Sequence, residues 1–204
     1  RMYHELGRIP PEDTARLLLN YCQSHIGEGE HLYKIFYYDC LPSPKIVFNP
    51  VTGNSVNLSE SSLYKWMHAL IASMRKQKAV ALRLGRLSDK NAGYRLTVDA
   101  TERVLAGKTK WNRLQLSDLT LDIQQKGVDM KLGMDVATLV YTETVDKIVL
   151  ISGDSDFIPA VKLAKQKNME FHMDSMWAHI ADDLFDVIDG LQSFDIKKVY
   201  KDMK

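Results

Sequence analysis

Cysteine is scarce in this chain of 204 residues, and the two cysteines present, Cys22 and Cys40, are too few for a disulfide framework. They also lack the spacing of a metal site, so a reducing cytoplasm is the expected location. No apolar run approaches the roughly 18 to 20 residues that span a bilayer, and we therefore expect no membrane partner. Internal repeats and low-complexity stretches are absent as well. What remains is an ordinary globular composition, with 45% hydrophobic and 26% charged residues.

The net charge of +1 is unevenly distributed along the chain. The formal charges sum to −1 over residues 1–74, +8 over residues 75–113 and −6 over residues 114–204. A basic segment beside an acidic one suits a protein that gathers phosphates in one place and metal cations in another. A solvated surface insertion rich in lysine and arginine would explain the basic segment equally well. The length fits one α/β domain, or a domain with an insertion.

The apolar periodicity predicts an alternation of helices and strands. Helices are expected at 11–24, 59–74, 130–142, 158–166 and 178–188, and strands at 32–39, 79–87, 147–152 and 170–173. Residues 94–98 are expected to pair with strand 79–87, residues 42–53 to form a loop, and residues 100–120 show no clear pattern. The helix–strand alternation after residue 130 predicts a parallel sheet with crossover helices, hence an α/β fold.

Two aspartates follow the most apolar of these strands. The run Lys147-Ile148-Val149-Leu150-Ile151 ends in Ser152-Gly153-Asp154-Ser155-Asp156, where Gly153 would let the chain turn. Ligands of open parallel sheets bind at the carboxyl ends of the strands. Neighbouring carboxylates repel each other unless a hard cation neutralises them. One aspartate could simply cap the helix that starts near Phe157, but a cap leaves the second aspartate unexplained.

A second acidic group lies upstream, where Asp129 would stand at the start of a helix and Asp135 follows six residues later. That spacing places them about 120° apart around a regular helix, so they cannot both point at one spot unless Asp129 lies just before it. Asp129 alone is often a helix cap and Asp135 alone a solvated residue. Gly133, in the middle of the same helix, suggests close packing of the backbone.

These motifs together resemble a known family. Lys126-Gly127-Val128-Asp129 with Asp135, followed by a strand ending Ser152-Gly153-Asp154-Ser155-Asp156-Phe157, is similar to the NYN domain, which with the LabA-like proteins belongs to the PIN-like nucleases. The ending Tyr37-Tyr38-Asp39 and the segment from His179 to Phe185 fit as well. The resemblance is firm over 126–190, looser over 30–87 and absent over 88–120.

The resemblance implies a three-layer α/β/α fold with a mainly parallel sheet, in a single domain that carries a basic insertion at about 88–120. It implies hydrolysis of RNA phosphodiester bonds with Mg²⁺ or Mn²⁺, giving a 5′-phosphate and a 3′-hydroxyl. By motif position, Asp129, Asp154 and Asp156 would be catalytic metal ligands, with Asp135 a further acidic member near the site or bracing it. Ser152 would hold a carboxylate or a phosphate, and Lys126 would contact substrate phosphate.

One departure from the family concerns its first strand, which usually ends in an aspartate followed by glycine and then asparagine. This chain opens at residues 1–4 in what looks like a first helix and shows no such strand. That strand would lie centrally in the sheet, and its absence would leave backbone groups of both neighbours unpaired. We therefore expect the strand, and with it one metal ligand, to lie upstream, unless the fold is rearranged.

Basic and aromatic residues are candidates for capturing the substrate, which we expect to be single-stranded RNA. Candidate phosphate contacts are Arg75, Lys76, Lys78, Arg83, Arg86, Lys108, Lys110 and Arg113. Trp111 could stack on an exposed base or pack within the fold. The six histidines, His4, His25, His31, His68, His172 and His179, form no ligand pattern and are expected to be structural or exposed. A homodimer is left open.

Three other functions compete with the nuclease interpretation. A catalytically impaired module with the NYN fold could bind RNA or a protein without cutting, and the missing first-strand aspartate favours it. A phosphatase with an Asp-x-Asp pair normally carries that pair on its first strand, whereas here it follows several elements. A calcium loop starting at Asp154 fails because Pro159 and Lys165 would occupy its sixth and twelfth positions.

Overall fold

A computed structural model describes residues 6–7 and 9–204 of the chain. The first helix expected at residues 1–4, a segment that includes His4, lies outside these described residues. The helices are α1 (Pro11–Gln23), α2 (Ser62–Arg75), α3 (Val98–Leu105), α4 (Val128–Thr142), α5 (Ile158–Gln166), α6 (Asp182–Phe185) and α7 (Ile196–Asp202). The strands are β1 (Ile35–Cys40), β2 (Ile46–Phe48), β3 (Ser55–Asn57), β4 (Val80–Leu96), β5 (Leu119–Lys126), β6 (Lys147–Ile151), β7 (Glu170–Asp174) and β8 (Gly190–Leu191).

The chain divides into two compact units. Unit 1 comprises the described residues of 1–38 together with 69–83 and 127–204, and unit 2 comprises 39–68 and 84–126. Both β1 and β4 have residues in each unit, and the sheet to which they belong has the strand order β1–β4–β5. Within the described residues, no helix combines the length and the apolar character needed to cross a bilayer.

Unit 1 contains a parallel sheet with the strand order β6–β7–β8. The register of β6 and β7 runs from Lys147 opposite Glu170 to Ile151 opposite Asp174, and β8 pairs with the end of β7. The helix α5 crosses over between β6 and β7, as the alternation of helices and strands predicted. The mixed α/β class is therefore confirmed.

Helices pack on the apolar side chains of β6 in two separate clusters. Ile148 and Leu150 pack against a core formed by α4, α5 and β7, whose fully buried members include Val161, Phe171 and Met173. Ile151 instead packs against a cluster built on α1 and α7, around the buried Leu17, Tyr21 and Ile196. Because side chains at even and odd positions of a strand point to opposite faces, the two clusters cover opposite faces of β6.

Unit 2 is built from antiparallel strands. β4 pairs with β5 from Arg86 opposite Lys126 to Leu96 opposite Leu119, with a register shift between Ser88 and Gly93. Asp89 lies in this irregular stretch, and its carboxylate accepts a hydrogen bond from Ser43 Oγ at 2.9 Å. The strands β2 and β3 form a short antiparallel hairpin.

The prediction of local structure was wrong in three places. Residues 94–98 do not pair with 79–87, because 80–96 form one continuous strand that pairs with β5, for which no strand was predicted. The expected loop at 42–53 contains β2, whose three residues are too few to produce a readable alternation. The expected helix at 178–188 is only α6, after which the chain forms β8.

Gly133 does not lie in close packing as its mid-helix position had suggested. A Cβ atom added at Gly133 would have no neighbour within 4 Å, and its backbone is helical. Gly127, at the start of the same helix, has a left-handed φ of 81° that a residue with a Cβ adopts only at a cost.

We expect Gly133→Ala to raise the free energy of unfolding by about 0.5–1 kcal/mol, because alanine reduces the entropy of the unfolded chain without straining the helix. Gly127→Ala is the matched control and should lower the free energy of unfolding by about 1–2 kcal/mol. Urea unfolding followed by circular dichroism measures both. A destabilised Gly133→Ala variant would contradict the open environment of this position.

Candidate functional site

The segment after β6 forms a tight turn fixed by side-chain oxygens. Ser152 Oγ accepts a hydrogen bond from the backbone N–H of Asp154 at 3.3 Å, and Asp154 Oδ1 accepts one from the N–H of Asp156 at 3.0 Å. A 3₁₀ turn, Ser155–Phe157, follows, in which the buried Phe157 joins the core. We call residues 152–156 the aspartate turn. Its geometry leads directly into α5, which has Pro159 in its first turn.

Asp154 caps the 3₁₀ turn Ser155–Phe157, whereas Asp156 has no such role in the local structure. Asp154 supplies only Oδ1 to the turn. The carboxylate of Asp156 has no hydrogen-bond or ion-pair partner among the residues that the structure describes. Both side chains are exposed. Two carboxylates of one turn thus face solvent at the carboxyl end of β6, and no cation of residues 6–7 or 9–204 pairs with them.

Gly153 plays a different role from the one expected. Its φ is outside the left-handed region, so the turn does not depend on the conformational freedom of glycine. A Cβ atom added there would lie 3.7 Å from both Ile180 Cγ2 and Ser175 Cβ, which is ordinary van der Waals contact. The aspartate turn therefore lies beside the segment that follows β7.

Asp129 lies in the first turn of α4, as the second helical residue after Gly127. Gly127 is the residue before the helix, so Asp129 is not its N-cap. The side chain of Asp129 is exposed and has no partner among the described residues. α4 contacts the 3₁₀ turn Ser155–Phe157, which brings the two acidic motifs to neighbouring elements. In the part of the chain that the structure describes, however, no three His, Cys, Asp or Glu side chains are grouped so that they could hold a metal ion.

Asp135 is engaged in a separate cluster. Its Oδ2 accepts hydrogen bonds from Tyr38 Oη at 2.9 Å and from Arg83 Nε at 2.7 Å. Burial and the hydrogen bond to Asp135 raise the pKa of Tyr38, and the same carboxylate raises the pKa of Arg83. The Arg83 guanidinium also lies over the ring of Phe36, 5.0 Å from its centroid. Arg83, which was expected to contact phosphate, therefore joins α4 to β1 and β4.

A buried aspartate at the end of β7 was not singled out from the sequence. Asp174 is fully buried, and its carboxylate accepts hydrogen bonds from Tyr21 Oη at 2.6 Å, from the N–H of Met176 at 2.6 Å and from Ser193 Oγ. His25 Nε2 lies 3.0 Å from Asp174 Oδ2. We call these five residues the Asp174 network. The preference of ligands for the carboxyl ends of parallel strands applies to Asp174 as well, since it ends the strand beside β6.

The Asp174 network balances the cost of burying a carboxylate. Burial raises the pKa of Asp174, but hydrogen bonds from His25, Ser193, Tyr21 and the Met176 N–H outweigh it and hold the pKa below the ordinary value. In the same region, burial and the nearby Asp174 charge raise the pKa of the Cys22 thiol to about 11. The Asp174 carboxylate is therefore ionised at neutral pH and has a structural role.

The basic candidates of unit 2 are solvent-exposed. Lys108, Lys110 and Arg113 have no ion-pair partner among the described residues, and Trp111 is 64% exposed. Trp111 begins a 3₁₀ turn, Trp111–Arg113, so packing within the fold does not account for its side chain. Lys126, the last residue of β5, is also exposed. Arg103, another basic residue of this segment, instead forms ion pairs with Asp99 and Asp118.

Comparison with known proteins gives one family. The family model described as the NYN domain matches residues 47–195, which is well over half of the chain. A search of curated proteins found no match. Among solved structures, the chain is similar to a protein of unknown function from Vibrio parahaemolyticus RIMD 2210633, at 10% identity over 92% of this chain and 80% of that chain, with a TM-score of 0.45. Similarity at that level carries no information about activity.

The lowered pKa of Asp174 predicts a pH dependence of stability. Because the folded pKa lies below the unfolded value of about 3.9, the stabilisation is present above that pH and is lost as the pH falls through the folded pKa. Asp174→Asn should lower the free energy of unfolding by about 1–3 kcal/mol at pH 7, and this variant should lose less stability than the unmodified chain as the pH falls below the unfolded value.

Urea unfolding at several pH values tests this prediction. Asp146→Asn is the control, because Asp146 is exposed at the amino end of β6 and should keep the pH dependence of the unmodified chain. Equal slopes for the Asp174→Asn variant and the unmodified chain would show that Asp174 does not set the acid stability.

Proposed function

The chain belongs to the NYN domain family, a family of PIN-like nucleases that act on RNA, and from this premise we propose that it is a metal-dependent ribonuclease. The observation that carries the proposal is the aspartate turn, with two exposed carboxylates at the carboxyl end of β6 and only one oxygen between them used for capping. Asp154 and Asp156 are metal ligands, and Asp129 is a third from the neighbouring α4.

The chemistry of these donors suits a hard divalent cation. Mg²⁺ is held in many sites by only one or two carboxylates and keeps several waters, so a preformed group of three side chains is not needed. Asp154 Oδ2, Asp156 and Asp129 are available for this purpose, since no described residue pairs with the carboxylates of Asp156 and Asp129. Mg²⁺ or Mn²⁺ would be held directly by the aspartate turn and, through water, by Asp129.

The residues of the chain have distinct roles in hydrolysis. A bound divalent ion lowers the pKa of water and stabilises charge on a phosphoryl oxygen. Ser152 fixes the backbone of Asp154 by accepting its N–H, and the bond from the Asp156 N–H to Oδ1 orients the Asp154 carboxylate. Asp156 extends from the same turn, and its negative charge adds to the affinity for the cation. The products are an RNA 5′-phosphate and a 3′-hydroxyl.

Asp135 acts by positioning rather than by contact with substrate. Its bonds to Tyr38 and Arg83 attach α4 to β1 and β4 within unit 1. Since Asp129 lies in the first turn of α4, a displaced helix would displace Asp129 with it. The coverage of both faces of β6 by helices supports a three-layer α/β/α arrangement around the parallel sheet.

Substrate capture falls to exposed cations. Lys108, Lys110 and Arg113 bind phosphates of a single-stranded RNA, and Trp111 stacks on one of its bases. Lys126, which precedes Asp129 in the sequence, contacts a further phosphate. Residues 88–120 form the basic insertion of a single NYN domain in this proposal. The cytoplasmic location and a homodimer stay predictions.

A second function is favoured by one observation. No three acidic, histidine or cysteine side chains of the described residues are grouped for a metal ion. A module that binds RNA or a protein without cutting would need no such group. Cleavage of a labelled RNA during Mn²⁺ titration supports the nuclease, and binding without cleavage supports the module.

Asp154→Asn tests the metal ligands with little effect on the fold. The asparagine Oδ1 can still accept the N–H of residue 156, so the free energy of unfolding should change by no more than about 0.5 kcal/mol. Cleavage of a fluorescent single-stranded RNA in Mn²⁺ should fall to background, and Asp156→Asn should reduce it strongly. Asp146→Asn removes an exposed carboxylate from the opposite end of β6 and should cleave normally. Full activity of Asp154→Asn would refute the assignment.

The basic segment makes a separate prediction about affinity. The double variant Lys108→Gln/Lys110→Gln should weaken RNA binding and reduce the magnitude of the slope of log K against log salt by about 1.4, because each phosphate that is no longer neutralised on a single strand changes this slope by roughly 0.7. The control double variant Lys162→Gln/Lys201→Gln removes two exposed charges from α5 and α7. If both double variants reduce the slope equally, the effect reflects the total positive charge of the chain, and Lys108 and Lys110 are not particular phosphate contacts.

A further inference from the structure

A cavity of about 380 Å³ lies in unit 1 and has no role in the function proposed above. Its volume is within the range of small-ligand pockets, roughly 300–1,000 Å³. Three aromatic residues, Tyr21, Trp177 and Phe194, line it together with Met176, Asp195, Ile196 and Lys197. The Asp195 side chain is engaged as the cap of α7, where it accepts the N–H of Lys197 at 2.8 Å. The cavity is therefore a recess of mixed polarity, with three aromatic residues and a lysine in its lining.

Trp177 is exposed and yet held in place. Its side chain is 64% exposed, but its indole Nε1–H donates to the Phe194 carbonyl at 3.2 Å and its backbone N–H donates to Ser193 Oγ at 3.2 Å. The φ angles of Met176 and Trp177 are 51° and 65°, which bulky residues rarely adopt. Such strain persists only where the surroundings enforce it, and it is concentrated at functional sites.

Hydrogen bonds of the Asp174 network hold the backbone of Met176 and Trp177 in this left-handed conformation. Asp174 Oδ1 accepts the N–H of Met176 at 2.6 Å and also binds Ser193 Oγ, the same hydroxyl that accepts the Trp177 N–H. Tyr21, which binds the other carboxylate oxygen, also lines the cavity. The indole is thus oriented before any ligand arrives, and a ligand would bind it without an entropic cost for ordering the side chain.

The segment that carries Met176 and Trp177 to the recess runs past the aspartate turn. Asp174 is opposite Ile151 in the parallel register, so the segments that follow β6 and β7 leave the sheet at the same edge. The closeness of Ser175 to Gly153 shows that these two segments touch. A polymer bound at the aspartate turn would therefore pass near Trp177.

We propose that Trp177 is the platform on which an unpaired base of the bound RNA strand stacks, with the adjoining recess receiving that nucleotide. The proposal rests on RNA being the substrate of the aspartate turn. A base offers a flat π surface to the indole whatever its identity, so the contact would add affinity without sequence preference. An RNA strand is the occupant that fits an oriented, exposed indole two residues after Ser175, which lies beside the aspartate turn of a family that acts on RNA.

Two substitutions at the same position separate stacking from folding. Trp177→Phe and Trp177→Leu both remove the bond to the Phe194 carbonyl, but only phenylalanine keeps an aromatic face. Affinity for a fluorescein-labelled, unstructured RNA is measured in EDTA, where cleavage plays no part. We expect Trp177→Leu to bind about 5- to 150-fold more weakly than Trp177→Phe, the range of one base–aromatic stack. Tyr141→Leu, which removes an exposed aromatic residue of α4, should bind normally.

An abasic RNA identifies the contact directly. Moving a single abasic nucleotide along the oligonucleotide should reveal one position where the missing base weakens binding to the unmodified chain but not to Trp177→Leu. Equal affinities of the two Trp177 variants, no such position, or no measurable RNA binding would each overturn the stacking role. Cleavage in Mn²⁺ is scored separately, so a chain that stacks RNA without cutting it would contradict only the ribonuclease proposal.

Discussion

The parallel pairing of β6 with β7 is the constraint on which the remaining features depend. It places Ile151 and Asp174 side by side at one edge of the sheet, so the two segments that follow must share the same space. The segment after β6 exposes two carboxylates, whereas Asp174 at the end of β7 is buried. The difference follows from their surroundings. Asp174 is enclosed by donors that include Tyr21 of α1 and Ser193, whereas among the described residues Asp154 accepts only a backbone N–H of its own turn and the Asp156 carboxylate has no partner.

Much of this edge could be predicted because its signals are local. A continuous apolar run followed by Ser-Gly-Asp-Ser-Asp defines β6 and its turn, and the expected helix at 158–166 coincides with α5. Asp174 was missed because its donors come from residues as distant as Tyr21, 153 positions away, and no periodicity encodes such contacts. β8, with two residues, carries too little sequence to be recognised before its partner strand is known. The role of Asp135 likewise depends on Tyr38 and Arg83, which only the folded chain brings to α4.

The two kinds of aspartate illustrate how one side chain can serve opposite purposes. An enclosed carboxylate with several donors is a structural anchor, and its charge is balanced within the protein. An exposed carboxylate beside another one keeps unfavourable repulsion that a cation can relieve. Asp135 is intermediate, since a single oxygen accepts both of its bonds. The number of donors around each carboxylate therefore distinguishes anchors from candidate ligands more clearly than sequence motifs do.

The left-handed backbone of Met176 and Trp177 has a consequence for evolution and for engineering. Glycine at either position would relieve the torsional penalty that a Cβ atom incurs there. A search for thermostable variants would therefore favour glycine at the exposed Trp177, whereas Met176 packs against the cluster around Leu17 and Tyr21 and would lose that contact. Glycine would at the same time remove the wall of the recess and loosen the loop. Trp177 thus marks a position where stability and ligand recognition select different amino acids, so a screen for stability alone would replace it.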